Sequence, residues 1–259
     1  MSVRRAATAV ALPIVLLTAW WFISAGSTDY QWPPLSKIVA AFVATWTPDR
    51  LRSEVVPSLE RLAAGYALAV VLGIGLGVLI GSSPWLRAFC EPVLEFMRAI
   101  PPPVLVPIIM LVAGIGDAMK VVVIASGCIW PVLLNTVEGV RGRDEVLSDT
   151  CRVYGVRGGL RLRHLILRAA SPQILTGARQ ALSIAIILMV ISELFAAQNG
   201  LGFTVMQFSR GFQIPEMWSG VFLLGFIGVA LAGAYQLAER WLLRWYHGQR
   251  STGTGPRES

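Results

Sequence analysis

Six long apolar stretches divided by shorter polar ones pattern this chain, at residues 6–25, 63–81, 100–116, 119–135, 181–197 and 218–237. A helix rises about 1.5 Å per residue, so crossing a hydrocarbon layer about 30 Å thick takes about 20 largely apolar residues. The pattern predicts an all-α polytopic membrane protein with about six transmembrane helices. The polar interruption from Gly142 to Pro172 is built differently from a plain connection. Within it Leu147, Cys151 and Tyr154 recur at helical spacing, Gly155 supplies a stop, and a second amphipathic run carries Leu160, Leu165 and Ile166 up to Pro172. A few polar residues suffice to join two spans, so two short surface helices with an apolar stripe predict a surface that docks a partner.

The apolar stretches carry their own signals. Gly73, Gly77 and Gly81 repeat every fourth residue, with Gly65 and Gly75 nearby, which lets another helix approach closely. Packing within the chain is the favoured reading over a subunit interface. The third stretch opens on Pro101, Pro102 and Pro103, with Pro107 beyond, and consecutive prolines cannot continue a regular helix. Broken backbone at membrane depth is tolerated where it lines a cavity, which makes Pro101, Pro103 and Pro107 candidates for a translocation path. Pro131 predicts a kink in the fourth stretch. Glu193 is the carboxylate set inside the apolar run IILMVISELFAA, a costly placement that makes it the fourth path candidate. The alternative is that it caps a neighbouring helix or lies near the outer interface.

Composition agrees with a membrane solvent: 55% apolar, 14% charged, mean hydropathy +0.63. Arg4 and Arg5 before the first apolar stretch, and Ser24, Ala25, Gly26 and Ser27 after it, outline a cleaved signal. The apolar run is longer than a signal's, and Trp20, Trp21 and Phe22 stand at its far end like an interfacial belt, so a retained span is expected. Lysine and arginine then set the orientation. With the N-terminus inside, the outer segments hold only Lys37, Arg50, Arg52, Arg61, Lys120 and Arg210 of the 22 basic residues. Both termini and the helical loop are therefore expected in the cytoplasm. The net charge of +7 is read as topology, because the arginines are spread over several loops beside spans; no nucleic-acid partner is expected. Cys90, Cys128 and Cys151 are isolated and His164 and His247 lack companions, so neither a disulfide nor a metal centre is expected.

The interruption resembles the cytoplasmic loop of ABC-importer permeases, the inner-membrane components of binding-protein-dependent transport systems. That family's pattern reads E-A-A-x-x-x-G, about nine residues, then I-x-L-P. Here Asp149, Thr150 and Cys151 take the first three positions, Gly155 the glycine, and Leu165, Ile166 and Leu167 the apolar end. Thr and Cys replace two alanines, and Arg168 stands where proline is usual, with Pro172 four residues on. The turn at Asn199, Gly200 and Gly202, the amphipathic stretch with Val205, Met206 and Phe208, and PSLERLAAGYALAVVLGIGLGVLIG from Pro57 extend the resemblance from about Pro33 to about Arg244. Within the family the chain looks most like nitrate, sulfonate and taurine importer permeases.

The resemblance implies a bacterial inner-membrane permease subunit that forms the path for a small solute. It implies ABC ATPase subunits, an extracytoplasmic substrate-binding protein, membrane lipid and a second permease copy, as a homodimer, for partners. The ATPase-coupling residues would be Leu147, Asp149, Thr150, Cys151, Tyr154, Gly155, Leu165 and Leu167, with Asp149 placing a negative group near the start of the coupling helix, where the dipole favours one. The chain has no G-x-x-x-x-G-K-[ST] loop, so ATP and Mg²⁺ belong on the partner and this chain is expected to be non-catalytic, with no cofactor of its own. The competing class is a secondary transporter or channel working without an ATPase; such proteins usually carry charge chains within the membrane and repeated halves. An intramembrane enzyme would need carboxylate pairs or His clusters that the sequence lacks. The expected division is a first helix at 1–30, a permease core at 31–245, with a short amphipathic approach from about residue 35 to 62, and a disordered polar tail at 246–259.

Overall fold

The computed structural model describes residues 3–244; His247 and the tail at 246–259 lie outside the described residues. In chain order the helices are α1 Val3–Ser24, α2 Leu35–Thr45, α3 Pro48–Arg50, α4 Val56–Ser82, α5 Pro84–Ala99, α6 Pro102–Ala113 and α7 Asp117–Arg141. They continue with α8 Glu145–Val153, α9 Gly158–Arg161, α10 Leu167–Ala196, α11 Leu201–Arg210 and α12 Ile214–Leu242. Wide π-turns at Leu51–Val55 and Leu162–Ile166 lead into α4 and α10. No strand occurs among the described residues. Two compact units result, one of Met1–Ser58 with Gln198–Phe226, the other of Leu59–Ala197 with Ile227–Ser259.

Polar anchors organise the first unit. The Glu54 carboxylate accepts from the Gly200 amide at 2.8 Å and the Thr204 hydroxyl at 3.1 Å, and Ser58 Oγ accepts from the Leu201 amide at 2.9 Å. Together they satisfy donors that the start of α11 would otherwise leave open, where negative charge also suits the helix dipole. Phe208 is the buried residue of the expected amphipathic stretch. Trp20, Trp32, Trp218 and Phe222 form one aromatic cluster, with Trp20 centroid distances of 5.2–5.6 Å to the other three. Such rings suit a membrane interface.

The second unit is centred on α7. Along α4 the glycine row meets α7 in order: Gly65 against Ile124, Gly73 against Val132, Gly77 against Thr136, Gly81 against Val140. Both numbers rise together, so the two helices run parallel. A methyl group on Gly77 would sit 2.5 Å from Thr136 Cβ and 2.9 Å from the Leu133 carbonyl, closer than real atoms pack, whereas one on Gly75 would meet nothing. The glycine repeat thus serves packing within the chain. Against the other side of α7 lies α10, antiparallel, with Gly139 on Ala170 and Gly177 on the Pro131 carbonyl. The Cys128 thiol donates to the Ala181 carbonyl at 3.3 Å. Further along, Tyr66 Oη donates to Ala178 O at 3.0 Å and Tyr235 Oη to Leu175 O at 2.7 Å, tying α4 and α12 to α10.

By length and hydropathy, four helical segments can cross a membrane: Pro48–Ser82, Asp117–Arg141, Gly158–Phe195 and Ile214–Leu242. The bent pair α5–α6 makes a fifth candidate, while the apolar helix at Ala11–Ser24 is shorter. The prolines act where expected. Helix α5 ends at Ala99, Ile100 turns extended, and the chain bends by 95° into α6. Pro102 and Pro103 then occupy the first turn of α6, where a missing N–H costs nothing. Leu111 and Val112 are 85% exposed on α6, a face suited to hydrocarbon or to another chain.

Candidate functional site

Two places in the second unit concentrate chemistry. The first is ionic. Arg61, in the second turn of α4, donates from Nε to Asp117 Oδ1 at 2.8 Å and from Nη1 to Glu193 Oε1 at 2.9 Å. Lys120 Nζ donates to the same Asp117 oxygen at 3.2 Å. Glu193 is fully buried and Arg61 and Lys120 nearly so, whereas Asp117 is 70% exposed. Parallel α4 and α7 and antiparallel α10 bring the starts of the first two and the last turn of the third to one end. Asp117 opens α7, where the dipole favours an acid. Arg61, Lys120 and Glu193 are thus buried among opposite charges, with the exposed Asp117 closing the group toward solvent, which is how buried charge is tolerated.

Glu193 was legible as an expensive residue; its companions were not. Arg61 and Lys120 read as loop charges, and instead both are buried in this cluster, Arg61 on Glu193 and Lys120 on Asp117, 132 and 73 positions from Glu193 in sequence. Pro101, at the N-cap of α6, and Pro103 and Pro107 within it are exposed, and α6 supplies no residue to this cluster. Pro102, by contrast, lies against α7, 3.1 Å from where a Cβ on Gly127 would stand.

The second place is the loop at 142–166. The Asp144 side chain accepts from the Val146 amide at 2.8 Å and starts α8. Gly155 ends it at φ +67°, with the Val156 amide on Cys151 O at 2.8 Å and the Gly155 amide on Arg152 O at 3.2 Å. This is a left-handed glycine stop that closes two of the orphan carbonyls of the last turn. Leu147 and Tyr154 are 52% and 80% exposed, and Val146 and Val153 more than 70%, so the apolar surface of α8 is broader than the expected stripe. Cys151 is partly exposed, and Thr150 Oγ1 returns a hydrogen bond to Val146 O.

Three expectations need correcting here. Asp149 does not lie near a helix start; it sits mid-helix, pairs with Arg152 at 3.2 Å, and leaves the cap to Asp144. The second amphipathic run is no separate surface helix, because α9 passes through the π-turn into α10 as one helical stretch from Gly158 to Phe195. Pro172 does not stop it: the Arg168 carbonyl, which a proline cannot serve, accepts from Ser171 Oγ at 2.9 Å. Leu165 is accordingly buried, and Leu167 packs against Val140, Ala170 and Ile174.

Residues 69–247 match the family of binding-protein-dependent transport system inner membrane components. The chain belongs to that family. This permease is 30% identical over 236 residues to a protein named as an aliphatic sulfonates transport permease of Bacillus subtilis, covering 90% of this chain and 86% of that one. The taurine transport system permease of Escherichia coli is 27% identical over 253 residues, covering 95% and 92%. The bicarbonate transport system permease of Synechococcus elongatus is 29% identical over 192 residues, covering 74% and 69%. In fold the permease is similar to a chain of the inward-facing MetNI methionine ABC transporter, at TM-score 0.61 and 21% identity, covering 77% and 98%. It is an inner-membrane translocation subunit of an ABC importer, and a transporter working without an ATPase is not favoured.

Proposed function

We propose that this permease passes a small oxyanion-bearing solute, a sulfonate, taurine, nitrate or similar, handed over by an extracytoplasmic binding protein. ATP and Mg²⁺ belong to a separate ATPase, and this chain holds no cofactor and performs no catalysis. Both termini and the loop at 142–166 face the cytoplasm, in line with the crowding of arginine there. The names of the sulfonate, taurine and bicarbonate relatives support the solute class. Two copies of the chain, as a homodimer, enclose the path. Pro101 before α6 and Pro103 and Pro107 on it lie exposed, a surface that a second copy would cover, and Glu193 serves the path by holding the ends of its helices through Arg61.

The observation that carries this reading is α8, a short capped helix whose apolar Leu147 and Tyr154 stand in the open beside a left-handed glycine stop. An amphipathic helix of this kind fills a groove in a partner. The test purifies the complex carrying Leu147→Asp and Tyr154→Asp together. Loss of ATPase co-purification, or of solute-stimulated hydrolysis with the ATPase still bound, is expected. Retention of both at the unmodified level would remove α8 as the coupling element.

A further inference from the structure

Beside α8 lies a cavity of about 360 Å³ lined by Arg141, Arg143, Ser148, Asp149 and Arg152. Three guanidinium groups face one carboxylate there. Arg141 closes α7, Arg143 follows its Gly142 cap, and Arg152 belongs to α8, so the cavity's cations come from both sides of the connection. A fourth cation reaches its wall: Arg161 donates from Nη2 to the buried Ser148 hydroxyl at 3.2 Å. The Nε of Arg161 is buried without a hydrogen-bond partner.

The carboxylates at hand do not use up this charge. Glu138 holds Arg141 at 2.8 Å and Asp149 holds Arg152 at 3.2 Å, but both pairs are exposed and therefore weakly held. Arg143 makes only a long contact, 3.5 Å to Val140 O, among its described hydrogen bonds. Planar guanidinium forks match the oxygens of a phosphate, and several of them converging favour such a group over a single carboxylate.

We infer that this cavity binds a phosphate group, from an anionic phospholipid headgroup or from free phosphate. It lies where α7 ends, at the membrane surface, and basic pockets at the cytoplasmic ends of membrane helices suit anionic headgroups. The cytoplasmic placement, and with it any effect on the ATPase, rests on the function proposed above; the binding chemistry does not. A phosphate held by Arg143 on one side and Arg152 on the other braces α8 against the end of α7, so its loss loosens the helix proposed to meet the ATPase.

The test titrates the purified transporter complex, in neutral detergent, with short-chain phosphatidylglycerol, phosphatidylcholine or inorganic phosphate, counting adducts by native mass spectrometry. Phosphatidylglycerol is expected to bind at least tenfold more tightly than phosphatidylcholine, and R143Q with R161Q to lose at least tenfold. Millimolar phosphate that displaces the lipid, or binds where the lipid does not, identifies a soluble source; lipid retained against it identifies the membrane. Should the double variant not assemble, R143Q alone is expected to lose several-fold and R143K to keep most of the affinity. Equal binding of both lipids without phosphate binding, or variants that bind as the unmodified complex does, overturns the inference. Micelles have no sides, so a reporter fusion at Gly158 that reads extracytoplasmic would refute the orientation without touching this result.

Discussion

Replacing Glu193 with leucine separates a buried ion pair into its parts. In the native chain Glu193 is fully buried and Arg61 is 5% exposed, with 2.9 Å between Nη1 and Oε1. Removing one member of such a pair leaves the other charge out of water, and costs about 3–5 kcal/mol. Asp117 remains on Arg61 Nε, but its own exposure of 70% lets solvent screen it, and it is shared with Lys120. The single variant Glu193→Leu should therefore fall within that range. Changing Arg61 to methionine as well removes the stranded charge, and Asp117 keeps Lys120 as its partner at 3.2 Å. Replacing a buried pair by apolar residues of similar volume is often neutral or stabilising. The double variant Arg61→Met/Glu193→Leu is expected to recover most of the loss. Thermal unfolding of the detergent-purified complex, followed by size exclusion after heating, measures both. A double variant as unstable as the single, or less stable, would refute the account of this cluster as a mutually offset pair.

Two further substitutions test backbone statements. Gly155→Ala meets no neighbour, so its cost is conformational alone, about 1 kcal/mol for a non-glycine residue in the left-handed region, with Gly155→Asn costing less; thermal unfolding of the complex should rank them in that order, and an alanine variant as stable as the asparagine one would count against the left-handed stop. Gly77→Ala forces a methyl group onto Thr136 and the Leu133 carbonyl and should cost about 1–3 kcal/mol, while Gly75→Ala, with open space at its Cβ, should stay within about 0.5 kcal/mol; equal unfolding temperatures for the two would contradict the α4–α7 contact.

What the sequence disclosed followed from local rules. Glycines four apart gave the close approach of α4 to α7, and a proline run gave the break before α6, because each acts on its own turn of backbone. The Gly155 stop was readable for the same reason, whereas the acid at the start of α8 is Asp144 and not the motif's Asp149. Pro172 misled because a membrane helix can carry a proline whose orphaned carbonyl finds another donor, and Ser171 beside it does that service. The ionic cluster was hidden by distance along the chain. Arg61, Asp117 and Lys120 border apolar stretches, where charges normally mark loops, and only the directions of three helices bring them to Glu193.

Those directions also decide what the proline-broken pair does. Ser82 ends α4 at the bank where α7 finishes, since the two helices lie alongside in the same sense from Gly65 on Ile124 to Gly81 on Val140. Asp117 begins α7 at the opposite bank. The chain must therefore make one net return within residues 83–116, and α5 and α6 are the helices it has for the journey. With 12 residues α6 covers about 18 Å, short of a bilayer core, so the residues flanking it share the passage. A loop that dipped in and came back out would leave α7 pointing the wrong way. The 95° corner is thus a bend in a through-route, and whichever way round the chain sits, Ser83 and Gly158 share one bank while Gly116 lies on the other.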